Sequence, residues 1–158
     1  MGRLKGIPDS LSPDILHLLA VTGHGDEIVL ADMNFPTHSL CEASRAKEYR
    51  ADGVKIPTLL NDILSLMPLD WYQPWQMVVM EMTDSDKSKM QLEEAPIVNE
   101  YRKIGNMKEG IGQDDARVLK IQKIERFQFY ERAKKAYAII HTGDTTPYSN
   151  IIMKRGVC

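Results

Sequence analysis

The sequence predicts an α/β fold in which one sheet lies between layers of helices, a three-layer sandwich. Stretches with apolar residues at helical spacing alternate along the chain with short apolar runs typical of strands. The length of 158 residues suits one domain, which we expect to span residues 1–158. A domain of this size buries about 70% of the surface that its unfolded chain exposes, so it needs no disulfide bonds.

The amino-terminal part of the chain is predicted to hold a helix followed by a buried strand. Ser12 can cap the helix, Pro13 suits its first turn, and Gly23 lies where the helix is expected to stop. After a polar link rich in glycine, residues 28–31 form an unbroken apolar run, which indicates a buried strand. Asp32 follows directly, so we expect a carboxylate at the carboxyl end of this strand.

The middle of the chain is less regular. Residues 34–51 contain a proline and few apolar positions, which favours a loop. Residues 56–67 carry apolar side chains at helical spacing and are followed by a proline, which predicts a second helix. Residues 75–83 indicate a strand. The polar stretch 84–112 is predicted to hold one helix near residues 95–104 and to form an excursion or lid.

The last part of the chain is predicted to add three strands and one helix. Residues 118–124 alternate between apolar and polar, the two-residue period of a half-exposed strand. An amphipathic helix is expected over residues 126–136. Residues 137–141 and 150–153 indicate two further strands, joined by a turn at residues 142–147.

Composition and charge narrow the function. The net charge of -2 gives no sign of a nucleic-acid partner or of an anionic membrane surface. Cys41 and Cys158 are too far apart to suggest a disulfide framework or zinc-ligand spacing. The first fourteen residues lack the apolar stretch of a secretory signal, and no apolar run approaches the ~20 residues that span a bilayer. We therefore expect a cytoplasmic protein.

Large aromatic residues cluster in and beside the proline-flanked segment 68–74. They are Trp71, Tyr72 and Trp75. Such residues are hard to bury wholly in a domain of this size, and large exposed apolar patches usually mark interfaces. We expect these three side chains to help form a contact between subunits.

His24 is the first candidate for chemistry. It lies between Gly23 and Gly25, where the backbone is free and no bulky neighbour hides the ring. An imidazole in such a loop can serve as an acid–base catalyst, although a loop-capping or surface histidine fits the same pattern. The four histidines lack close ligand spacing, so no metal site is expected.

Asp32 is the natural companion of His24. A carboxylate at the carboxyl end of a buried strand faces the crevice above the sheet, where α/β proteins bind their ligands. The alternative is local, because aspartate also caps turns, here at Asn34 or Phe35.

Arg126, Tyr148 and Asn150 form a second group of candidates. They offer a fork of donors, a hydroxyl on an apolar ring, and an amide that both donates and accepts. A polyhydroxylated ring needs these groups, but on the residues alone a helix-end arginine, a hairpin tyrosine and a turn asparagine fit the pattern better. Phosphate-loop and serine-nucleophile motifs are absent from the sequence. Any chemistry is therefore expected to be acid–base chemistry by His24 without a cofactor.

The chain resembles the RbsD/FucU family, which contains sugar mutarotases of a fucose branch and pyranases of a ribose branch. The resemblance runs from Leu11 to Val157. Its most specific blocks are residues 23–32, 34–36, 50–53, 126–127, 129–133 and 142–143. The 84–112 stretch matches poorly.

The resemblance implies an assembly and a set of roles. It implies a Rossmann-like three-layer subunit that assembles into rings, typically a decamer of two stacked pentamers, with sites near the boundary between neighbouring subunits. It implies that His24 is the proton donor and that no cofactor is needed. The substrate binders that it implies are Asp32, Arg126, Tyr148, Ser149 and Asn150.

The resemblance also bears on the substrate. Ser149 departs from the pattern, since the fucose branch usually has glycine there and the ribose branch alanine. Residues 34–36 and 129–133 are similar to the fucose branch, whereas residues 146–148 lean toward the ribose branch. The first set is longer, so the expected activity is interconversion of the α and β anomers of L-fucose. The alternatives are a D-ribose pyranase, a noncatalytic sugar-binding protein on the same fold, and a structural ring-forming protein.

Overall fold

The computed structural model describes residues 4–158, so residues 1–3 of the amino-terminal stretch lie outside it. The helices are α1 (Pro13–Val21), α2 (Thr37–Glu42), α3 (Ile56–Ile63), α4 (Asp84–Met90), α5 (Pro96–Lys108) and α6 (Arg126–Ala133). The strands are β1 (Glu27–Ala31), β2 (Lys47–Ala51), β3 (Met77–Met80), β4 (Ile121–Ile124), β5 (Ala138–Thr142) and β6 (Ile151–Lys154). No helix in this part of the chain is long and apolar enough to cross a membrane.

The strands form one six-stranded sheet in the order β2-β5-β1-β6-β3-β4. All neighbouring pairs are parallel except those of β6, which runs antiparallel to β1 and to β3. Leu30 is therefore paired with Ile151 and Glu27 with Lys154. The start of β6 lies beside the end of β1, and the end of β6 lies beside the start of β1. We call these two sides the carboxyl end and the amino end of the sheet, after the direction of β1.

Two hydrophobic cores cover the two faces of the sheet. On one face, α1, α3 and α5 pack against alternate strand residues such as Ile28 and Leu30. On the other face, α2 and α6 pack against the intervening residues, among them Val29 and Ile152. Both faces of β1 are thus buried, and each fully buried aliphatic side chain contributes about 1.5–3 kcal/mol. The predicted three-layer α/β architecture is confirmed.

The end of α1 differs from the prediction. Ser12 caps the helix as expected, because its hydroxyl accepts from the Ile15 N–H at 3.3 Å. The helix stops at Val21, however, and Gly23 does not take the left-handed conformation. Its N–H instead donates to the Asp26 carboxylate at 2.7 Å. Gly25, with φ of +87°, is the left-handed residue of the loop, which places His24 at the tip of a tight turn.

The middle of the chain holds more regular structure than expected. The prediction of a loop over residues 34–51 is wrong, because the structure has α2 and β2 there. β2 is an edge strand, and its regular conformation comes from parallel pairing with β5, far away in sequence. The prediction also missed α4, a polar helix with no buried residue. The helix expected near residues 95–104 is present as α5.

Candidate active site at two ends of the sheet

The predicted functional residues lie at opposite ends of the sheet. Asp32 follows the end of β1, and Asn150 immediately precedes β6, so both lie at the carboxyl end. His24 lies in the loop before β1, at the amino end. The five residues of β1 span about 16 Å at 3.3 Å per residue, which is more than a monosaccharide can bridge. One chain therefore does not bring His24 and Asp32 together as companions.

At the carboxyl end, Asp32 and Asn150 hold each other through two hydrogen bonds. The Asn150 Nδ2 donates to Asp32 Oδ2 at 2.7 Å, and the Asp32 backbone N–H donates to Asn150 Oδ1 at 2.8 Å. The other carboxylate oxygen of Asp32 accepts from the Asn34 N–H at 2.9 Å. The turn-capping role considered for Asp32 is thus present in the structure. A carboxylate has about four acceptor sites, so Asp32 keeps capacity to accept from a ligand.

Tyr148 has an unusual backbone conformation beside this pair. Its φ of +59° lies in the left-handed region, which a tyrosine rarely adopts. Its hydroxyl donates to the Asp86 carboxylate at 2.5 Å and accepts from the Thr83 N–H at 3.3 Å. Asp86 lies in the first turn of α4, and Thr83 caps that helix. The polar excursion between β3 and β4 therefore reaches the predicted binding residues.

Ser149 is fully buried between Tyr148 and Asn150. Its carbonyl accepts from the Tyr101 hydroxyl at 2.6 Å, and Tyr101 is itself fully buried on α5. Burial raises the pKa of the Tyr101 phenol, so the hydroxyl remains a donor. The Ser149 hydroxyl has no hydrogen-bond partner among residues 4–158. Ser149 thus fixes the segment through its backbone, and its side chain adds a buried polar group that costs about 1–3 kcal/mol when unpaired.

Arg126 opens α6 and is exposed. Its guanidinium lies 4.8 Å from the centroid of the Phe127 ring, and no hydrogen bond or ion pair holds it in the described part of the chain. The aromatic contacts continue from Phe127 to Tyr130 and from Tyr130 to Phe35, three residues after Asp32. This row of rings connects Arg126 with the end of β1. No direct bond joins Arg126 to Asp32 in residues 4–158.

At the amino end, His24 is paired with Asp70. The His24 Nε2 lies 3.2 Å from Asp70 Oδ1, and the His24 side chain is 47% exposed while Asp70 is only 1% exposed. The same Asp70 oxygen accepts from the Tyr72 N–H at 3.0 Å. The second oxygen, Oδ2, is buried without a partner in the described residues. A half-exposed imidazole anchored on a buried carboxylate can hold a fixed orientation and exchange protons with a ligand.

Sequence reasoning missed Asp70, which comes 46 residues after His24. The contact exists because the end of β6 holds both segments. The Arg155 carbonyl accepts from the Gly25 N–H at 2.9 Å, and the Lys154 carbonyl accepts from the Asp70 N–H at 3.0 Å. A sequence signal was nevertheless present, since Asp70 is a lone acid in the proline-flanked aromatic segment.

The aromatic residues of that segment differ in exposure. Trp71 is half-buried and donates from Nε1 to Glu109 at 2.6 Å. Trp75 is half-buried beneath the Arg132 guanidinium, 4.1 Å from the ring. Tyr72 is 77% exposed, with its ring centroid 5.6 Å from that of His24. Of the three side chains expected at a subunit contact, Tyr72 is the one with most of its surface free.

Two of the other histidines have partners of their own. His38 lies 2.8 Å from Glu48, and His141 lies 2.9 Å from the Thr37 hydroxyl. In residues 4–158, no group of three or more His, Cys, Asp or Glu side chains is arranged to hold a metal ion.

The chain thus combines a three-layer α/β sandwich with a His–Asp pair at one end of the sheet and an Asp–Asn pair at the other. Residues 5–158 match the model of the RbsD / FucU transport protein family, and the chain belongs to this family. The resemblance drawn from the sequence is thereby confirmed.

The relatives extend over nearly the whole chain. The fucose mutarotase of Homo sapiens is 48% identical over 157 residues, which cover 99% of this chain and 96% of that protein. The L-fucose mutarotase of Histophilus somni is 40% identical over 154 residues, with 98% and 96% covered. The solved structure of the Streptococcus pneumoniae fucose mutarotase in complex with L-fucose has a TM-score of 0.81 at 46% identity, covering 98% of this chain and 99% of that one.

Proposed function

We propose that this protein is a cofactor-independent L-fucose mutarotase, an isomerase that interconverts the α and β anomers. The observation that carries the proposal is the half-exposed His24 held on the buried Asp70 carboxylate. Relatives that are 40–48% identical along nearly the whole chain are named fucose mutarotases, which supports the proposal.

The reaction needs only proton transfers and a rotation. Loss of the proton from the anomeric hydroxyl allows the C1–ring-oxygen bond to break, and its electron pair takes up a proton at the ring oxygen. Rotation about C1–C2 and the reverse steps give the other anomer. His24 is proposed to donate and recover that proton, since an imidazole can do both near neutral pH. The uncatalysed reaction is already measurable, so the 10²–10⁴-fold typical of acid–base catalysis suffices.

Asp70 is proposed to orient His24. With Nε2 directed at the buried carboxylate, Nδ1 remains for the substrate, and the carboxylate stabilises the imidazolium that forms when His24 takes a proton. The Tyr72 N–H fixes the same carboxylate oxygen at 3.0 Å, which limits its movement. Charge-assisted bonds of this kind are roughly twice as strong as neutral ones.

The carboxyl end of the sheet is proposed to bind the sugar hydroxyls. Asp32 keeps free acceptor sites, Arg126 has unoccupied donors, and Ser149 holds Tyr148 and Asn150 in place through its backbone. A cavity of about 410 Å³ beside Tyr148 is walled mainly by apolar side chains, including Met82, Ile97 and Pro147. The C6 methyl of L-fucose gains about 0.8 kcal/mol on an apolar wall, and D-ribose carries no such methyl.

A complete site is proposed to need two copies of the chain. His24 and Asp70 of one copy would meet Asp32 and Arg126 of the next, because the two ends of one sheet are too far apart. Such a contact joins different surfaces of the two copies, and it closes into a ring when the rotation permits. The exposed ring of Tyr72 lies at the amino end and the 61%-exposed Phe127 at the carboxyl end, where they can meet across the boundary. We propose the ring to be a decamer of two stacked pentamers.

The compartment is proposed to be the cytoplasm. Cys41 and Cys158 are both free thiols in the structure, which fits a reducing environment.

Saturation-transfer NMR on the anomeric protons tests the function. Wild-type protein is expected to speed exchange between the α and β pyranose forms of L-fucose in proportion to its concentration. Faster exchange of D-ribose between pyranose and furanose forms, at equal sugar concentration, would favour the pyranase alternative. Binding of L-fucose without any added exchange would make the protein a noncatalytic sugar-binding protein.

A further inference from the structure

The Tyr148 hydroxyl has one proton and two lone pairs, and two of these three hydrogen-bonding positions are occupied in the structure. The proton goes to Asp86 Oδ2 at 2.5 Å, and one lone pair accepts from the Thr83 N–H at 3.3 Å. One lone pair is left over. Tyr148 is half-buried and comes two residues before Asn150, the partner of Asp32 at the proposed sugar site.

Asp86 lies on α4, and few other interactions hold this helix in its position. α4 has no buried residue, and its first turn is capped by the Thr83 hydroxyl, which accepts from the Asp86 N–H at 3.2 Å. An exposed ion pair between Lys87 and Glu81 at 2.8 Å also ties the helix to the end of β3, but exposed pairs of this kind contribute little. The bond from Tyr148 lowers the pKa of the Asp86 carboxyl, so the carboxylate remains an acceptor near neutral pH.

We propose that Asp86 is a positioning residue of the sugar site, which acts by fixing the direction in which the Tyr148 hydroxyl donates its proton. This inference rests on the proposed function. With the proton held by Asp86, the phenol oxygen can only accept from the sugar. Asp32 is acceptor-only as well, so this side of the site selects a sugar that donates from two hydroxyls, while Arg126 supplies the donors.

The inference predicts a selectivity that depends on Asp86. A sugar whose hydroxyl is replaced by fluorine cannot donate, so the wild-type site should reject the fluoro-sugar modified at the position that meets Tyr148. Without Asp86 the phenol can rotate and donate, and the discrimination against that analogue should shrink.

The experiment compares Asp86→Ala with Asp84→Ala, a matched loss of one carboxylate in the same helical turn. Anomer exchange is measured with L-fucose and with its singly fluorinated analogues. We expect Asp86→Ala to raise KM for L-fucose by about twofold to tenfold, the effect of one hydrogen bond between neutral groups. The value of kcat should change much less than KM, and Asp84→Ala should resemble the wild type. In a Tyr148→Phe background, Asp86→Ala should have no further effect, because the two residues act as one unit.

Three outcomes of the exchange measurements would overturn the inference. The first is an unchanged KM in Asp86→Ala. The second is an effect of Asp86→Ala on KM that is as large in the Tyr148→Phe background as in the wild type. The third is a discrimination against fluoro-sugars that survives without Asp86. The hydrogen bond itself is followed without sugar, through the Tyr148 Cζ signal in protein labelled with ¹³C-tyrosine. That signal should move in Asp86→Ala and stay in Asp84→Ala, and a signal that stays in both also overturns the inference. A wild-type protein that exchanges no L-fucose refutes the proposed function instead, while a moving Cζ signal still supports Asp86 as the residue that orients Tyr148.

Discussion

His24 lies 3.2 Å from Asp70, and the two side chains differ sharply in exposure, with 47% of the imidazole surface open and 1% of the carboxylate surface open. The acid is held inside the protein and the base faces outward. This arrangement anchors a titratable ring without hiding it, and it makes the amino end of the sheet the place where proton transfer is expected.

Replacement of His24 tests the acid–base assignment. His24→Ala is expected to lower L-fucose anomer exchange by roughly 10²–10⁴-fold, because it removes the general acid. Folding should be little affected, since the side chain is half exposed. The measurement is saturation-transfer NMR with parallel melting curves, and His38→Ala serves as a control histidine on another face. Exchange near the wild-type rate in His24→Ala would eliminate the assignment.

Replacement of Asp70 tests the orientation of the ring. Asp70→Asn keeps the shape of the side chain and an acceptor for the Tyr72 N–H, but it removes the negative charge beside the imidazole. Loss of a charge-assisted bond of about 1.5–3 kcal/mol should lower kcat/KM by roughly tenfold to a hundredfold. A variant that exchanges within threefold of the wild type, with an unchanged fold by circular dichroism, would show that Asp70 is not needed.

Arg126 and Asp32 should separate binding from stability. Both Arg126→Ala and Asp32→Ala are expected to weaken L-fucose binding by about 1.5–3 kcal/mol, as for hydrogen bonds that involve a charge. Only Asp32→Ala should lower the melting temperature, because it removes the carboxylate that accepts from the Nδ2 of the buried Asn150. Calorimetric titration and melting curves measure the two effects, with Lys135→Ala at the other end of the sheet as a control. Unchanged affinity in both variants would count against the site.

Gly156 should be intolerant of any side chain. A Cβ at this position would meet the Leu69 carbonyl oxygen at 2.1 Å and the Asp70 nitrogen at 3.0 Å. Both are backbone atoms that cannot swing away, so Gly156→Ala should lower the free energy of unfolding by about 1–3 kcal/mol or more. Gly112→Ala is the matched control, since nothing lies within 4 Å of its Cβ. Equal urea midpoints for the two variants would contradict the expected clash.

Mixing of His24→Ala, which lacks the proposed general acid, with Asp32→Ala, which is expected to bind the sugar weakly, tests whether each site is shared between copies. His24→Ala and Asp32→Ala are unfolded together and refolded as a mixture. Random assortment should restore about a quarter of the sites with both residues intact, because each site takes one residue from either neighbour. At a sugar concentration too low to saturate Asp32→Ala, a mixture no more active than its components would refute shared sites. A wild-type chain that sediments as a monomer at micromolar concentration would also refute the ring.

Sequence analysis predicted best those elements whose local pattern of apolar residues matches their burial in the folded protein. The apolar run of residues 28–31 predicted β1 because both faces of that strand are buried. The pattern did not predict β2, because this partly exposed strand becomes regular only through pairing with β5. It failed also for α4, which buries nothing and is capped by Thr83.

The candidate site divides in the same way. His24 could be singled out because its two glycine neighbours are adjacent in sequence. Asp70 could be noticed only as a lone acid in the aromatic segment, since its contact with His24 arises when the end of β6 returns to the start of β1. The left-handed φ of Tyr148 and its bond to Asp86 likewise depend on tertiary contacts that no local preference signals. The predicted strand over residues 28–31 already lay between His24 and Asp32, so the expectation that the two act together in one chain did not follow from it.

Because β6 runs antiparallel to β1, a defect in β6 is expected to affect both ends of the sheet. Asn150 precedes this strand and Arg155 follows it, so the same four residues hold the sugar-binding pair at one end and the histidine loop at the other. In the proposed ring these two ends belong to different active sites. A slip of β6 by two residues would move both by about 7 Å. One defective β6 would then inactivate two sites. When chains with a damaged β6 are mixed with intact chains, activity should therefore fall more steeply than the fraction of intact chains.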